Sequence, residues 1–412
     1  MQRLAILLIP LAACTSTDDP CKGVQGACVG LAAGATAEEV QAALIQVSAG
    51  GTVAFGEGTF AFHTGLSLSV DHVTIVGRGM DKTILSFKQQ TDGAQGLLVT
   101  ANAFAIHDIA IEDTRGDALK VLGADGVTIQ HTRVEWTAGP NATNGSYGLY
   151  PVQCKHVLIE NSVVKGASDA GVYVGQSDQI IVRNNEAQLN VAGIEIENCT
   201  NADVHDNTAT NNTGGVLVFN LPGLEVKNGK TTRVYNNMVF ANNTVNFAPA
   251  GNIVGLVPTG TGIAVLAAHD VEIFGNTVRD HKSVNIGVIS YIPTGIAVSD
   301  PTYDQYPTAI WIHDNMLSGT SDMPTGQLGA LLISAIGELA PNGPFIVPDL
   351  AWDGVLDPAR PPGVAAEKIC IQRNGDADFI NLAWPLADAT KPSLDMVPHD
   401  CAHAPLPEVV LP

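Results

Sequence analysis

Ile181-Val-Arg-Asn-Asn-Glu186 comes back as Val204-His-Asp-Asn-Thr-Ala209, then as Val234-Tyr-Asn-Asn-Met-Val239, Ile273-Phe-Gly-Asn-Thr-Val278 and Ile312-His-Asp-Asn-Met-Leu317. Upstream the same frame holds in Ile106-His-Asp-Ile-Ala-Ile111, Ile129-Gln-His-Thr-Arg-Val134 and Ile159-Glu-Asn-Ser-Val-Val164. One aligned position runs Ile109, Thr132, Ser162, Asn185, Asn207, Asn237, Asn276 and Asn315, at spacings of 23, 30, 23, 22, 30, 39 and 39 residues. A coil of 22 or 23 residues with loop insertions accounts for every interval. The apolar residues do not recur at helical intervals, no Leu-x-Leu-x-x-Asn frame is present, and propeller blades are longer and more even. What remains is an all-β, single-stranded, right-handed parallel β-helix. A side-chain amide at its corner bonds within its own coil or to the amide one coil away, so the recurring Asn reads as architecture.

A second strand aligns in each central coil: Ala118-Leu-Lys-Val121, Gly148-Leu-Tyr-Pro151, Gly171-Val-Tyr-Val174, Gly193-Ile-Glu-Ile196 and Gly215-Val-Leu-Val218. Side chains alternate between faces along a strand. Leu119, Leu149, Val172, Ile194 and Val216 form one inward stack, and Val121, Pro151, Val174, Ile196 and Val218 its neighbour. The outward face then presents Lys120, Tyr150, Tyr173, Glu195 and Leu217, extended by Glu197 and Phe219. Here cationic, phenolic and acidic groups share one surface. Lys120, Tyr150 and Glu195 are the candidate catalytic residues: Lys120 to hold a carboxylate or polarise a carbonyl, Tyr150 to pass a proton or stack, Glu195 to orient a hydroxyl or act as base. Tyr173 and Tyr147 offer amphipathic surface to sugar rings. Glu197, and Asp117 and Asp169 on the turns before their strands, complete the substrate-binding set. Glu195 and Glu197 lie two residues apart on one face, about 7 Å, a separation open to an inverting carboxylate pair. The bland reading of the same face is a solvated sheet with scattered tyrosines. His156 is a further candidate base. His107, His131, His205 and His313 read as equivalent corner positions with a packing role.

Thr36 and Glu39 have capping-box spacing before the amphipathic Val40, Ala43, Leu44 and Val47, which predicts a short helix covering the open end of the solenoid. Loops 138–147, 221–230, 246–260 and 283–308 overhang the central coils and are placed to wall a groove. Beyond residue 320 the phrase loosens. Residues 338–366 read as a surface crossing, and Ile369-Cys-Ile-Gln-Arg-Asn374 as a last coil.

Acidic residues outnumber Lys plus Arg by 41 to 20, a formal charge of -21, which argues against a nucleic-acid partner. Arg3, the apolar run Leu4–Leu11 and Leu11-Ala-Ala-Cys14 are too short to span a bilayer. They resemble a bacterial lipoprotein signal, which implies cleavage before Cys14 and its lipidation. Thr15 in place of Asp favours the outer membrane of the cell envelope. The chain therefore divides into a signal (1–13), a lipidated tether (14–35), the β-helix (36–385) and a C-terminal tail (386–412). In that oxidising compartment Cys21–Cys28 and Cys370–Cys401 are the favoured disulfides, with Cys154 and Cys199 either paired or free and buried. No CxxC or His-bearing metal spacing occurs, so neither a metal nor another cofactor is expected.

The N-terminal helix, the entry Gly51-Thr-Val-Ala-Phe-Gly-Glu-Gly-Thr-Phe60, the turn Val73-Thr-Ile-Val-Gly-Arg-Gly79 and the Asn-centred phrases resemble the pectate-lyase-like and mannuronan C-5 epimerase-like superfamily, and within it bacterial parallel β-helix repeat lipoproteins. That resemblance implies a polysaccharide that is bound or modified. The superfamily also holds periplasmic copper-maturation repeat proteins, which implies the alternative of a structural or protein-partner lipoprotein, including one that assists assembly of a redox or metal protein. The epimerase motif Tyr-Gly-hydrophobic-Asp-Pro-His aligns with Tyr147-Gly148-Leu149-Tyr150-Pro151-Val152. Its Asp falls at Tyr150 and its His at Val152, so those two catalytic residues do not carry over.

Overall fold

The computed structural model describes residues 19–320, 324–339, 346–361, 363–364, 367–385 and 391–412. The signal segment and Cys14 lie outside them.

Each coil contributes three strands, as in Ala170–Gly175, Asp178–Arg183 and Glu186–Gln188. Neighbouring coils pair in parallel: Ala170–Gly175 lies between Leu149–Val152 and Ala192–Glu197, and Asp178–Arg183 between Lys155–Glu160 and Thr200–His205. Among the described residues the first face builds an 11-stranded sheet from Thr64–Leu68 to Phe379–Asn381, hereafter the site sheet, and the other two faces share a 20-stranded sheet. The chain is a right-handed parallel β-helix with a helix before its repeats. Both expected inward stacks form. Leu119, Leu149, Val172, Ile194 and Val216 are all fully buried, and Val174 pairs with Ile196 and Ile196 with Val218.

The repeated Asp/Asn/Gly-Asn pair divides two tasks. Its first member takes the left-handed turn: Asn184, Asp206, Asn236, Gly275 and Asp314 have φ between 53° and 66°, where short polar residues and glycine cost least. Its second member builds a buried ladder. Asn237 Oδ1 accepts from Asn207 N–H and Asn207 Nδ2, while Asn237 Nδ2 donates to Val204 O and Asn276 Oδ1, all within 2.9–3.0 Å. The ladder runs from Thr132 and Ser162 through Asn185, Asn207, Asn237, Asn276 and Asn315 to Asn374. A second ladder, Asn190–Asn212–Asn242, turns the corner into the site sheet and ends on His281. It escaped the sequence reading, although its members stand five residues after those of the first.

One histidine was misaligned. Gln130, not His131, pairs with His107, and His131 takes the left-handed corner at φ 41°. His205 and His313 do occupy sister positions, at the ends of a ring stack His205–Tyr235–Phe274–His313 with centroid spacings of 4.6, 4.9 and 5.3 Å.

Both ends are closed. Cys28–Leu31, within the segment read as tether, already pairs with Thr52–Phe55. Helix Ala37–Gln46 carries its capping box and buries Val40, Ala43 and Leu44, and the Gln41 amide exchanges two hydrogen bonds with the backbone of Ser67 on the first site-sheet strand. At the far end His399 packs against Phe379 and Trp352 and meets Ile369 O at 2.9 Å. Past Cys401 the tail runs back along the larger sheet, where Leu406 N–H reaches Glu272 and Val409 N–H reaches Asp203. The disulfides Cys21–Cys28 and Cys370–Cys401 are present; Cys154 and Cys199 are free and buried on either side of Ser177 in one corner stack.

The region after residue 320 also holds a helix that the sequence reading missed, Gly326–Leu339. Leu332, Ala335 and Ile336 pack on Val284, Ala351, Ile380 and Leu382 and cover the outer face of the site sheet. Among the described residues no helix is long and apolar enough to cross a membrane.

Candidate functional site

The register brings the expected outward residues together. Tyr150 pairs with Lys120, Tyr173 with Glu195 and Glu195 with Leu217; one step along, Gly175 pairs with Glu197 and Glu197 with Phe219. Each step is one strand spacing, about 4.8 Å. Glycines let the strands start this close to the preceding corner: a Cβ on Gly193 would stand 2.6 Å from Gly215 O and 2.8 Å from Asn212 Nδ2.

The face is not solvated, which corrects the bland reading. Tyr173, Glu195, Glu197 and Asp169 are buried, at 4, 1, 6 and 4 % exposure. The cause is the loops. Val254 and Val257 of loop 246–260, and Tyr291 and Tyr303 of the segment that follows site-sheet strand Val284–Ile289, which shortens the loop expected at 283–308, join Tyr173, Leu217 and Phe219 in one apolar cluster. Asn252, which opens the 3-10 turn Ile253–Leu256, donates to Asp169 at 2.9 Å. The rim stays half-buried: Asp117, Lys120, Tyr147 and Tyr150. Tyr147 rests on Tyr150 and Tyr173 at 4.5 and 4.4 Å, Tyr150 meets Tyr173 edge-on at 4.9 Å, and the Lys120 ammonium sits 4.6 Å from the Tyr150 ring centre. Each of these contacts adds to simple burial, the cation most where water is scarce.

Beneath the tyrosines lie three carboxyl groups in apolar surroundings. Tyr173 OH donates to Glu197 Oε1 at 2.7 Å. Neither oxygen of Glu195 meets a hydrogen-bond partner among the described residues. Loss of hydration disfavours each charged form, and for Asp169 and Glu195 the neighbouring carboxylates disfavour it further. Burial lifts Glu197 to about 7 against the pull of the Tyr173 hydroxyl. Asp169 rises to about 7 through burial and the Glu197 charge, opposed by Asn252 and by Tyr147. Glu195, with no donor to offset burial, stands well above the carboxylate range. Asp117 is also raised by burial, against the attraction of Lys120. Burial moves Tyr150 up to about 12 and Tyr147 and Tyr173 well above the usual phenol.

Burial thus favours the protonated form at all three carboxyls, most strongly at Glu195, and brings Glu197 and Asp169 to about 7. A proton donor and an acceptor near the working pH are what acid–base chemistry requires. Sequence alternation located Glu195 and Glu197; Asp169 enters through the turn before its strand. Asn252 was missed as an individual residue, because it reaches Asp169 across 83 positions of sequence. His156 does not join the cluster and instead binds Asp125 at 2.6 Å. Among the described residues no group of three or more His, Cys, Asp or Glu side chains is placed to hold a metal ion.

The raised carboxyls set a pH dependence. An unfolded Asp or Glu titrates near 4, whereas Asp169 and Glu197 retain their protons to about 7 in the fold. Between those values the native state binds more protons than the unfolded chain, so stability falls as pH rises. The melting temperature should drop by several degrees between pH 5 and pH 8. In Glu195→Gln/Glu197→Gln the drop should shrink, and an unchanged slope there would place its origin elsewhere.

The family of the right handed beta helix region matches residues 95–246. Among curated proteins, none matches the chain in sequence. In solved structures the chain is similar to the A-module of Azotobacter vinelandii mannuronan C-5 epimerase AlgE4, at 16 % identity and TM-score 0.48, over 82 % of this chain and 90 % of that one. It is similar to the alginate lyase of Paenibacillus sp. str. FPU-7 at 15 % identity and TM-score 0.46, over 72 and 96 %. A third is DFA-IIIase from Arthrobacter chlorophenolicus A6, at 10 % identity and TM-score 0.42, over 74 and 82 %. At such identities the likeness concerns the fold alone.

Proposed function

We propose that the protein binds and chemically modifies a polysaccharide at the tyrosine-rimmed carboxyl cluster of the site sheet. One observation carries the reading: three buried carboxyl groups, one of them without a partner among the described residues, lie with a cation and three mutually packed tyrosines. A purely structural role gives no return for burying them, since an unpaired buried carboxyl costs stability. In this reading Tyr150 and Tyr147 receive the sugar, Lys120 takes a carboxylate or carbonyl of the substrate, Glu195 donates a proton and Glu197, held by Tyr173, accepts one. Asn252 and its turn move aside to admit the chain. A glycan-array screen with the wild type and Tyr150→Ala tests it. The variant should bind the best glycan about tenfold more weakly, the loss of one aromatic contact worth about 1.4 kcal/mol. Equal binding by both proteins would remove this face from consideration.

The chain works, on the same proposal, in the bacterial cell envelope, held to the outer membrane through lipid on Cys14. The two disulfides support an oxidising compartment. Cys14→Ser should move the protein from the membrane to the soluble fraction without altering its circular dichroism. An unlipidated N-terminus on mature wild-type protein would refute the anchor.

A further inference from the structure

The site sheet changes character within one strand spacing. Glu195 is followed by Leu217, Ala264 and Gly287, and Glu197 by Phe219, Leu266 and Ile289. Above the apolar half lies a cavity of about 70 Å³, open at its mouth. Phe219, Leu266 and Ile289 line its floor; Leu256 of the 3-10 turn and Leu331 of helix Gly326–Leu339 line its roof. Gly287 opens the space: a Cβ built there would touch only Val284 Cγ1, at 3.6 Å. Its φ is unexceptional, so backbone conformation does not demand glycine at this strand position. Both roof elements are insertions outside the coil repeat, and the same turn carries Asn252 over Asp169.

We propose that this cavity receives the alkyl or acyl chain of an amphiphilic saccharide whose sugar occupies the adjoining carboxyl cluster, so that the preferred ligand is a glycolipid or lipid-linked glycan. The proposal rests on the sugar reading given above. Glu195, buried and unpartnered one strand from Leu217, supplies an acceptor for a hydroxyl at the junction. The apolar lining rewards a linear chain with no polar atoms, and Phe219, paired with Glu197, joins the two halves.

Calorimetric titration of the full chain with hexyl, octyl and decyl glucoside, below their micelle concentrations, tests it beside a free oligosaccharide that the array identifies. Wild-type affinity should rise by about fourfold for each methylene that enters the cavity. Gly287→Leu fills the space, as does Ala351→Leu from the paired strand; either should flatten the series and leave free-sugar binding unchanged. A flat series in the wild type overturns the proposal outright, even if a variant fails to fold. A steep series that survives both folded variants overturns the placement. Free-sugar binding with a flat series sinks only the lipid arm. A steep, variant-sensitive series with no response to Glu197→Gln and no free-sugar binding keeps the cavity but removes the sugar reading beneath it.

Discussion

On the function proposed above, Glu197→Gln is expected to cut glycan turnover by at least ~100-fold, the low end for loss of a general acid or base. Glutamine keeps the shape of the side chain and an oxygen able to accept the Tyr173 hydroxyl now 2.7 Å from Oε1. It cannot take up or release the proton. Ground-state affinity should therefore shift only a few-fold while turnover collapses, the signature of an interaction made in the transition state. Stability should hold or rise at pH 8, because the variant no longer has to bury a charge that hydration would otherwise hold. Single-turnover measurement with thermal melts separates these outcomes. A folded Glu197→Gln protein with wild-type turnover would remove the carboxyl cluster from the chemistry. A loss of binding equal to the loss of rate would recast it as a binding module.

The second large effect lies in the corner ladder. Asn237→Ala deletes four hydrogen bonds at once and leaves the Asn207 amide groups, Val204 O and Asn276 Oδ1 short of a partner inside the rod. Orphaned buried groups cost about 1–3 kcal/mol each, so a loss of roughly 3–6 kcal/mol is expected, larger than most single substitutions produce. Thr132→Ala, at the ladder's start, removes one hydroxyl bonded to Gln130 O and should cost about 1 kcal/mol. Denaturant unfolding of the two variants side by side is the check. Equal, small losses would show that water replaces the amide inside the coil.

The parts of this fold legible in sequence were those that repeat. Period-two alternation in Gly171-Val-Tyr-Val174 and its sister segments fixed both faces of the site sheet, and the observed register agrees strand by strand. A one-residue slip would have turned every side chain over, so agreement at Tyr173–Glu195 carries the rest. Repetition also misled. His131 looked like a sister of His107 because both stand beside the corner, yet a shift of one residue separates an outward strand position from a left-handed turn. What does not repeat was harder to see. The helix Gly326–Leu339 sits in an insertion, and its apolar spacing was overshadowed by the fading coil phrase. The burial of Glu195 was invisible for a related reason. Alternation shows which way a side chain leaves its strand, but whether water meets it depends on loop 246–260 and on the segment after strand Val284–Ile289, whose contacts span long sequence separations.

The returning C-terminal tail bears on how the rod answers mechanical load. Solenoids ordinarily fray from their ends, since a terminal repeat has one neighbour instead of two. Here the last coil is tied by Cys370–Cys401, and the chain then lies back across Trp311, Glu272, Arg233 and Asp203, successive rungs of the larger sheet, to reach Val409. Tension on the C-terminus is thus delivered first to the coil of Asp203, in mid-rod, and loads the strapped coils side by side in shear instead of peeling them one at a time.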